Sequence, residues 1–276
     1  MGGFECTYAL VEGQKRLDLT AVTRHYEQCR EDYQLLKEIG ITTVREGLAW
    51  NQIDRGGKYD FSKFEEMMAI GQEQGIQILW DLNHFDYPED IDPFSVEFVE
   101  RFAKYAAEAG KRIRKYDTQT LYICPQNEIS FFAFIGADMG NWAPYQKGRG
   151  VEFKKQLVAA SIKAMDAIWE HDRNVRFIQV DPIFYRTPKK PVTQEKRDVA
   201  KQFIESKFQA WDTLSGRINP ELGGHPKYLD ILGCNYYYNQ EWVTDIDEVG
   251  NPQYHTIPLS QLLNSLETIG YSCVMA

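Results

Sequence analysis

Short runs rich in β-branched and aromatic residues alternate along the chain with longer runs whose apolar positions recur at helical spacing. The short runs Gly3–Thr7, Thr43–Ala49, Gln77–Leu82, Thr120–Pro125, Arg176–Val180, Ile231–Tyr236 and Tyr271–Ala276 predict strands. The longer runs Arg24–Ile39, Phe61–Gln74, Val96–Lys115, Glu152–Glu170, Gln194–Asp212 and Leu259–Ile269 predict amphipathic helices. In Glu152–Glu170, for example, Leu157, Ile162, Met165, Ile168 and Trp169 carry the apolar pattern. Gly40 and Gly75 each close a helical run and are followed by Ile and a strand, the form expected of an αβ loop with a glycine C-cap.

A strand-then-helix repeat implies parallel strands joined by right-handed crossovers, which either close into a barrel or wind into an open sheet. No GxGxxG loop follows the first strand, so the barrel is preferred. The expected fold is α/β, a (β/α)8 TIM-type barrel with about seven strands in residues 1–276, taken as a single domain. The sequence reaches Ala276 at the end of the seventh strand, so the last βα unit is expected to be missing and the domain to be incomplete at its C-terminus. Strand edges and core left open in this way predict either pairing with a partner, such as a second copy in a homo-oligomer, or instability.

Charge and composition remove several function classes. A formal net charge of -9 and a pI near 5.2 oppose binding to a phosphate backbone, so no nucleic-acid partner is expected. The opening Met-Gly-Gly-Phe-Glu-Cys-Thr lacks the basic and apolar regions of a secretory signal, and no later apolar run is long enough to span a bilayer. A cytoplasmic protein with no membrane partner is the expectation. Five cysteines, Cys6, Cys29, Cys124, Cys234 and Cys273, are scattered without a CxxC pair, which fits reduced thiols rather than disulfides or a zinc site. Neither a metal nor a cofactor is expected.

Working residues of such barrels come from the C-terminal ends of the strands. There the sequence turns polar or aromatic: strand two runs into Arg45 through Trp50, strand three into Trp80-Asp81-Leu82-Asn83-His84-Phe85-Asp86, strand four into Gln126-Asn127-Glu128, and strand six into Asn235-Tyr236-Tyr237-Tyr238. Glu128 stands between Leu121-Tyr122-Ile123-Cys124 and Phe131-Phe132, apolar walls that would raise a carboxyl pKa and suit a general acid. Asn127 supplies a donor and an acceptor suited to a sugar hydroxyl. Taken alone, an Asn-Glu pair more often caps a helix; its place on the fourth strand favours chemistry. His84 reads as a sugar ligand or a satisfied rim histidine, and Arg45 as a carboxylate holder or a structural ion pair. Trp80 and Trp142 could stack on sugar faces or fill the core. Tyr237 could serve the site or pack the barrel, and strand propensity alone favours packing. No Lys stands at a strand end for an aldolase, and no His/Asp cluster for a metal-dependent hydrolase.

Four segments in order carry a resemblance: Glu31 through Trp50, Asn83-His84-Phe85-Asp86-Tyr87-Pro88, Gln126-Asn127-Glu128, and Gly233-Cys234-Asn235-Tyr236-Tyr237. Together they resemble glycoside hydrolases of clan A, closest to the family 1 β-glucosidase and β-galactosidase group. The resemblance implies a retaining β-glycosidase acting on a small or oligosaccharide glycoside. It implies Glu128 as acid/base, Asn127 at the 2-hydroxyl, His84 in the minus-one subsite, and Arg45 and Tyr237 holding the nucleophile. Three departures stand out. Glu5 occupies the first strand in an unusual polar pattern, Phe85 replaces the usual Trp after His84, and Tyr271–Ala276 resembles the seventh strand up to just before its nucleophilic Glu. The alternative reading is therefore a carbohydrate-binding barrel that lacks the nucleophile and does not cleave.

Overall fold

The computed structural model describes residues 1–187, 193–237, 241–246, 252–255, 260 and 264. Six parallel strands lie side by side in chain order: β1 (Gly2–Gly3), β2 (Thr43–Gly47), β3 (Gln77–Asp81), β4 (Leu121–Cys124), β5 (Val175–Pro182) and β6 (Ile231–Asn235). The register pairs Arg45 with Leu79, Asp81 with Cys124 and Asp181 with Cys234. The crossovers carry α1 (His25–Glu38), α2 (Ser62–Gln74), α3 (Val96–Tyr116), α4 (Gly150–Trp169), and the pair α5 (Gln194–Ser206) and α6 (Gln209–Leu214). The curled parallel sheet with its helices is a partial (β/α)8 barrel. Every C-terminal strand end therefore opens at one mouth.

The helices form where apolar residues repeat on one side. Ser95 accepts a hydrogen bond from the Phe98 amide at 3.3 Å and caps α3. From there Phe98, Phe102, Tyr105, Ala109 and Ile113 are buried at three- and four-residue steps. Small residues let α3 and α4 approach: a Cβ on Gly110 would stand 3.4 Å from Cγ1 of Ile168. The main core lies between the sheet and these helices, and burying each Phe there is worth about 1.5–3 kcal/mol. A second, smaller cluster of Leu79, Cys124 and Val180, joined by Tyr122 and Ile178, packs separately from it on the other sides of the strands. No helix among the described residues is long and apolar enough to cross a membrane.

Several boundaries differ from expectation. The first strand is confined to Gly2–Gly3, and an antiparallel hairpin, Tyr8–Val11 with Lys15–Asp18, follows it across the turn at Gly13, whose φ is 73°. The run Gln194–Asp212 does not form one helix, because it breaks after Ser206, where Lys207 turns its side chain inward to the Phe184 carbonyl. Short strands Tyr185–Thr187, Glu241–Ile246 and Pro252–His255, not expected from the sequence, pair into a small separate sheet. The expected strand Tyr271–Ala276 lies outside the described residues, as does the expected helix Leu259–Ile269 apart from Ser260 and Asn264.

Candidate active site

Strand alternation decides which side chains reach the mouth. On β2, Glu46 turns to the helical layer, where it accepts from Tyr33 at 2.9 Å and meets His25 Nε2 at 2.9 Å. Arg45, next to it, turns the opposite way. Its Nε and Nη2 donate to the two oxygens of Asp81 at 3.0 and 2.7 Å, its Nη2 also to Oδ1 of Asn127 at 2.6 Å, and its Nη1 to Oδ1 of Asn235 at 3.3 Å. One guanidinium thus joins the ends of β3, β4 and β6.

Asp81 and Asn127 pass the network to His84. Asp81 Oδ2 lies 2.8 Å from His84 Nδ1, and Asn127 Nδ2 lies 3.0 Å from His84 Nε2. Because Oδ1 of Asn127 is fixed as an acceptor by Arg45 and Asn235, its Nδ2 must donate to Nε2, and the bond pattern assigns the ring proton to Nδ1. Burial pushes Asp81 upward, but the Arg45 charge and the hydrogen bonds from His84 and Arg45 outweigh it and hold its carboxyl below the usual range. The same pairing raises Arg45 despite its burial.

Glu128 completes the constellation. It is 5% exposed and accepts from Asn235 Nδ2 at 2.5 Å. Burial raises its pKa, opposed by the Asn235 bond and by the Arg45 charge, while Glu5 adds a repulsion in the same direction as burial. Its backbone is left-handed, with φ 46° and ψ 59°. The Glu128 amide donates to the Val180 carbonyl at 2.9 Å, and the short helix Ile129–Ala133 begins directly after it. Beneath, Asn83 and Gln126 bond to each other at 3.1 Å, and Gln126 continues to the Leu157 carbonyl at 2.6 Å and Ser161 at 3.1 Å.

An aromatic group stands beside this network. Phe85, with φ 73°, meets His84 edge-on at 4.8 Å between centroids, and Phe131 and Trp142 at 5.5 Å each. Trp142 is therefore part of the rim. Trp80 is not: only 2% exposed, it faces the main core under the helices, because Asp81 and Leu79 take the opposite side of β3. The stacking role expected of Trp80 has no access to the mouth. Tyr237 is 53% exposed; partial burial and then the charges of Glu128 and Glu5 raise its pKa.

Cys6, Asp81 and His84 bring ligand-type atoms within 4.8 Å of one another, with Cys6 Sγ 3.2 Å from His84 Nδ1. Both oxygens of Asp81 already hold the Arg45 guanidinium, whose charge repels a cation, and burial raises the Cys6 thiol far above the range where it would ionise. The trio fits a hydrogen-bonded support for His84 better than a metal centre. Sequence patterns had drawn attention to Arg45, His84, Asn127 and Glu128. They gave no sign of Cys6 beneath His84, or of Asn235 as the direct partner of Glu128.

The family model described as Glycosyl hydrolase family 1 matches residues 8–217. Beta-glucosidase 25 of Oryza sativa subsp. japonica is 27% identical over 134 residues, 44% of this chain and 25% of that protein. The 6-phospho-beta-glucosidase GmuD of Bacillus subtilis is 22% identical over 273 residues, 86% of this chain and 57% of that protein. A Thermotoga maritima family 1 glycoside hydrolase, solved with a cyclophellitol analogue, superposes with a TM-score of 0.69 at 15% identity, over 89% of this chain and 64% of that one. The chain thus spans little more than half the length of the B. subtilis relative and a quarter of the rice one.

Proposed function

Because the chain belongs to glycosyl hydrolase family 1, we propose that its strand-end network is a β-glycoside site in which Glu128 is the general acid/base of a retaining hydrolysis. The observation that carries this reading is the state of Glu128: a buried carboxyl, raised in pKa, held by one short bond from Asn235. A carboxyl whose pKa is raised holds its proton more firmly and can pass it to the glycosidic oxygen as the bond to the anomeric carbon breaks and a second carboxylate bonds to that carbon. The alcohol leaves neutral, and the carboxylate that remains takes a proton from the water that releases the sugar.

Asn127 and His84 form the sugar-facing pair, contacting hydroxyls beside the anomeric carbon, and Trp142 walls the mouth. Arg45 and Tyr237 hold the second carboxylate. The resemblance to the family puts that carboxylate after the seventh strand, and Tyr271–Ala276 lie outside the described residues. The substrate is a β-linked O-glycoside of a hexose, in keeping with the names of the two curated relatives. Buried thiols at Cys6, Cys29 and Cys124 suit a reducing compartment, and the reading places the protein in the cytoplasm.

Calorimetric titration with salicin, a neutral aryl β-glucoside, tests the site. Binding by the wild-type chain, weakened about tenfold or more in His84→Ala and Asn127→Ala, is expected from loss of one or two hydrogen bonds to the ligand. No binding of any β-glycoside, or undiminished affinity in both variants, overturns the reading.

A further inference from the structure

Directly behind Glu128, on the helical side of β5, lies a second buried carboxyl that no step of the proposed hydrolysis uses. Asp181 is 1% exposed, and both its oxygens are occupied by one residue. Oδ1 accepts from the Ser130 amide at 3.0 Å, and Oδ2 lies 3.1 Å from Ser130 Oγ. Ser130 Oγ is also 3.4 Å from the Lys207 carbonyl. The preceding residue of β5, Val180, holds the Glu128 amide through its carbonyl at 2.9 Å. Two consecutive residues of one strand thus grip positions 128 and 130, on either side of the bond that turns the chain from strand end into helix.

That turn needs holding. Glu128 is in the left-handed region, which costs an L-residue about 1–2 kcal/mol and persists only where the surroundings over-determine it. Release of Ser130 would let residues 128–130 relax and swing the carboxyl away from Asn235.

We propose that Asp181 is a positioning residue for Glu128, a clamp that works in its neutral, protonated form through both polar atoms of Ser130. The inference rests on the proposed role of Glu128. A protonated carboxyl fits the bonding. Ser130 donates both bonds, its amide to Oδ1 at 3.0 Å and its hydroxyl to Oδ2 at 3.1 Å, and a neutral carboxyl accepts them as an ionised one does. An ionised Asp181 would instead stand as a second negative charge behind Glu128. The charged and titratable groups around it are Glu128 from the β4 end, Lys154 from α4 and Cys234, in register on β6. Burial acts first, the Ser130 amide opposes it, the Glu128 charge adds to it and Lys154 opposes it, with the balance lifting Asp181 to about 8.

An Asn at this position reproduces a neutral clamp: its oxygen accepts from the Ser130 amide and its NH2 donates to the hydroxyl. The test compares wild type, Asp181→Ala, Asp181→Asn and Ser130→Ala by salicin calorimetry from pH 6 to pH 9, with amide hydrogen exchange at residues 130–132. At pH 7 Asp181→Ala should lose about tenfold or more in affinity, Asp181→Asn should restore most of it, and Ser130→Ala should fall between. Wild-type affinity should fall as the pH passes about 8, a limb absent from Asp181→Asn. Wild-type affinity in Asp181→Ala, or in Asp181→Asn a loss as deep as in Asp181→Ala, overturns the proposal; so does an alkaline limb that survives in Asp181→Asn. Should Asp181→Ala fail to fold, Ser130→Ala decides: an affinity equal to wild type overturns the clamp. Should the wild type bind no glycoside, the functional reading falls, and hydrogen exchange judges the clamp separately. Exchange at 130–132 should quicken in Ser130→Ala and in Asp181→Ala and stay slow in Asp181→Asn; unchanged exchange in the first two overturns it.

Discussion

Asn235, at the end of β6, donates from Nδ2 to Oε1 of Glu128 at 2.5 Å, joining two strand ends that are 107 residues apart in sequence. The bond stabilises the carboxylate and so works against the burial that raises Glu128. In Asn235→Ala the Glu128 midpoint should therefore move to higher pH, followed by the 13C-carboxyl signal of protein labelled at glutamate. A midpoint that stays or falls would contradict the pairing.

Arg45 neutralises Asp81, whose side chain is fully buried. Removing one partner of such a pair costs about 3–5 kcal/mol, because the other is left charged in a dry environment. Arg45→Met should lose about that much in urea unfolding at pH 7. The sign with pH follows from the lowered pKa of Asp81. Its paired charge contributes stability above the unfolded value and loses it as the pH falls through the folded one. The difference between wild type and Arg45→Met should accordingly shrink on acidification; a gap that widens would refute this pairing.

His25 makes the opposite case. Burial disfavours its charge, yet bonds to Cys29, Glu46 and Asp32 outweigh this and lift its pKa from 6.5 to about 10. A histidine raised on folding stabilises fully below 6.5, and this contribution is lost as the pH rises towards 10. Melting temperature should decline over that window. Glu46→Gln, which removes the carboxylate 2.9 Å from His25 Nε2, should destabilise by about 3 kcal/mol at pH 6 and flatten the decline. A variant as steep as wild type would count against the pair.

Gly47 ends β2 against Cys6. A Cβ there would stand 2.5 Å from Cys6 Sγ and 2.7 Å from its Cβ, so Gly47→Ala must displace Cys6 and disturb its 3.2 Å contact with His84 Nδ1. The expected cost is about 1–3 kcal/mol in thermal unfolding, together with weaker salicin binding. An unchanged melt would mean that strand β1 yields instead.

Much of the mouth was legible in the sequence for a topological reason. In a parallel sheet every C-terminal strand end opens on one side, so Arg45, His84, Asn127 and Glu128 converge as soon as the strands are placed. Gly75 was readable as a helix stop because its φ of 68° is one that glycine adopts freely. Trp80 was misplaced because Ile78-Leu79-Trp80 is apolar throughout and gives no period to say which side faces the helices. The break at Lys207 was missed because helical spacing runs through it with no Gly or Pro, and only the distant Phe184 carbonyl explains the turn. The hairpin Tyr8–Asp18 falls between the expected strand Gly3–Thr7 and the expected helix Arg24–Ile39, in a stretch too short for either period to show. Cys6 under His84 and Asp181 under Ser130 depend on contacts 78 and 51 residues apart, which no local pattern encodes.

The role of Glu128 is tested most directly by the rate at which wild type and Glu128→Gln release nitrophenol from nitrophenyl β-glucoside, measured beside their affinities for salicin. For protein that carries the strand-seven carboxylate, the account predicts hydrolysis by the wild type, a loss of about 10²–10⁴-fold in the variant, as for removal of a general acid/base, and similar salicin affinity in both. Equal rates in the two proteins, or a wild-type chain that binds the sugar and leaves its bond intact, would contradict it.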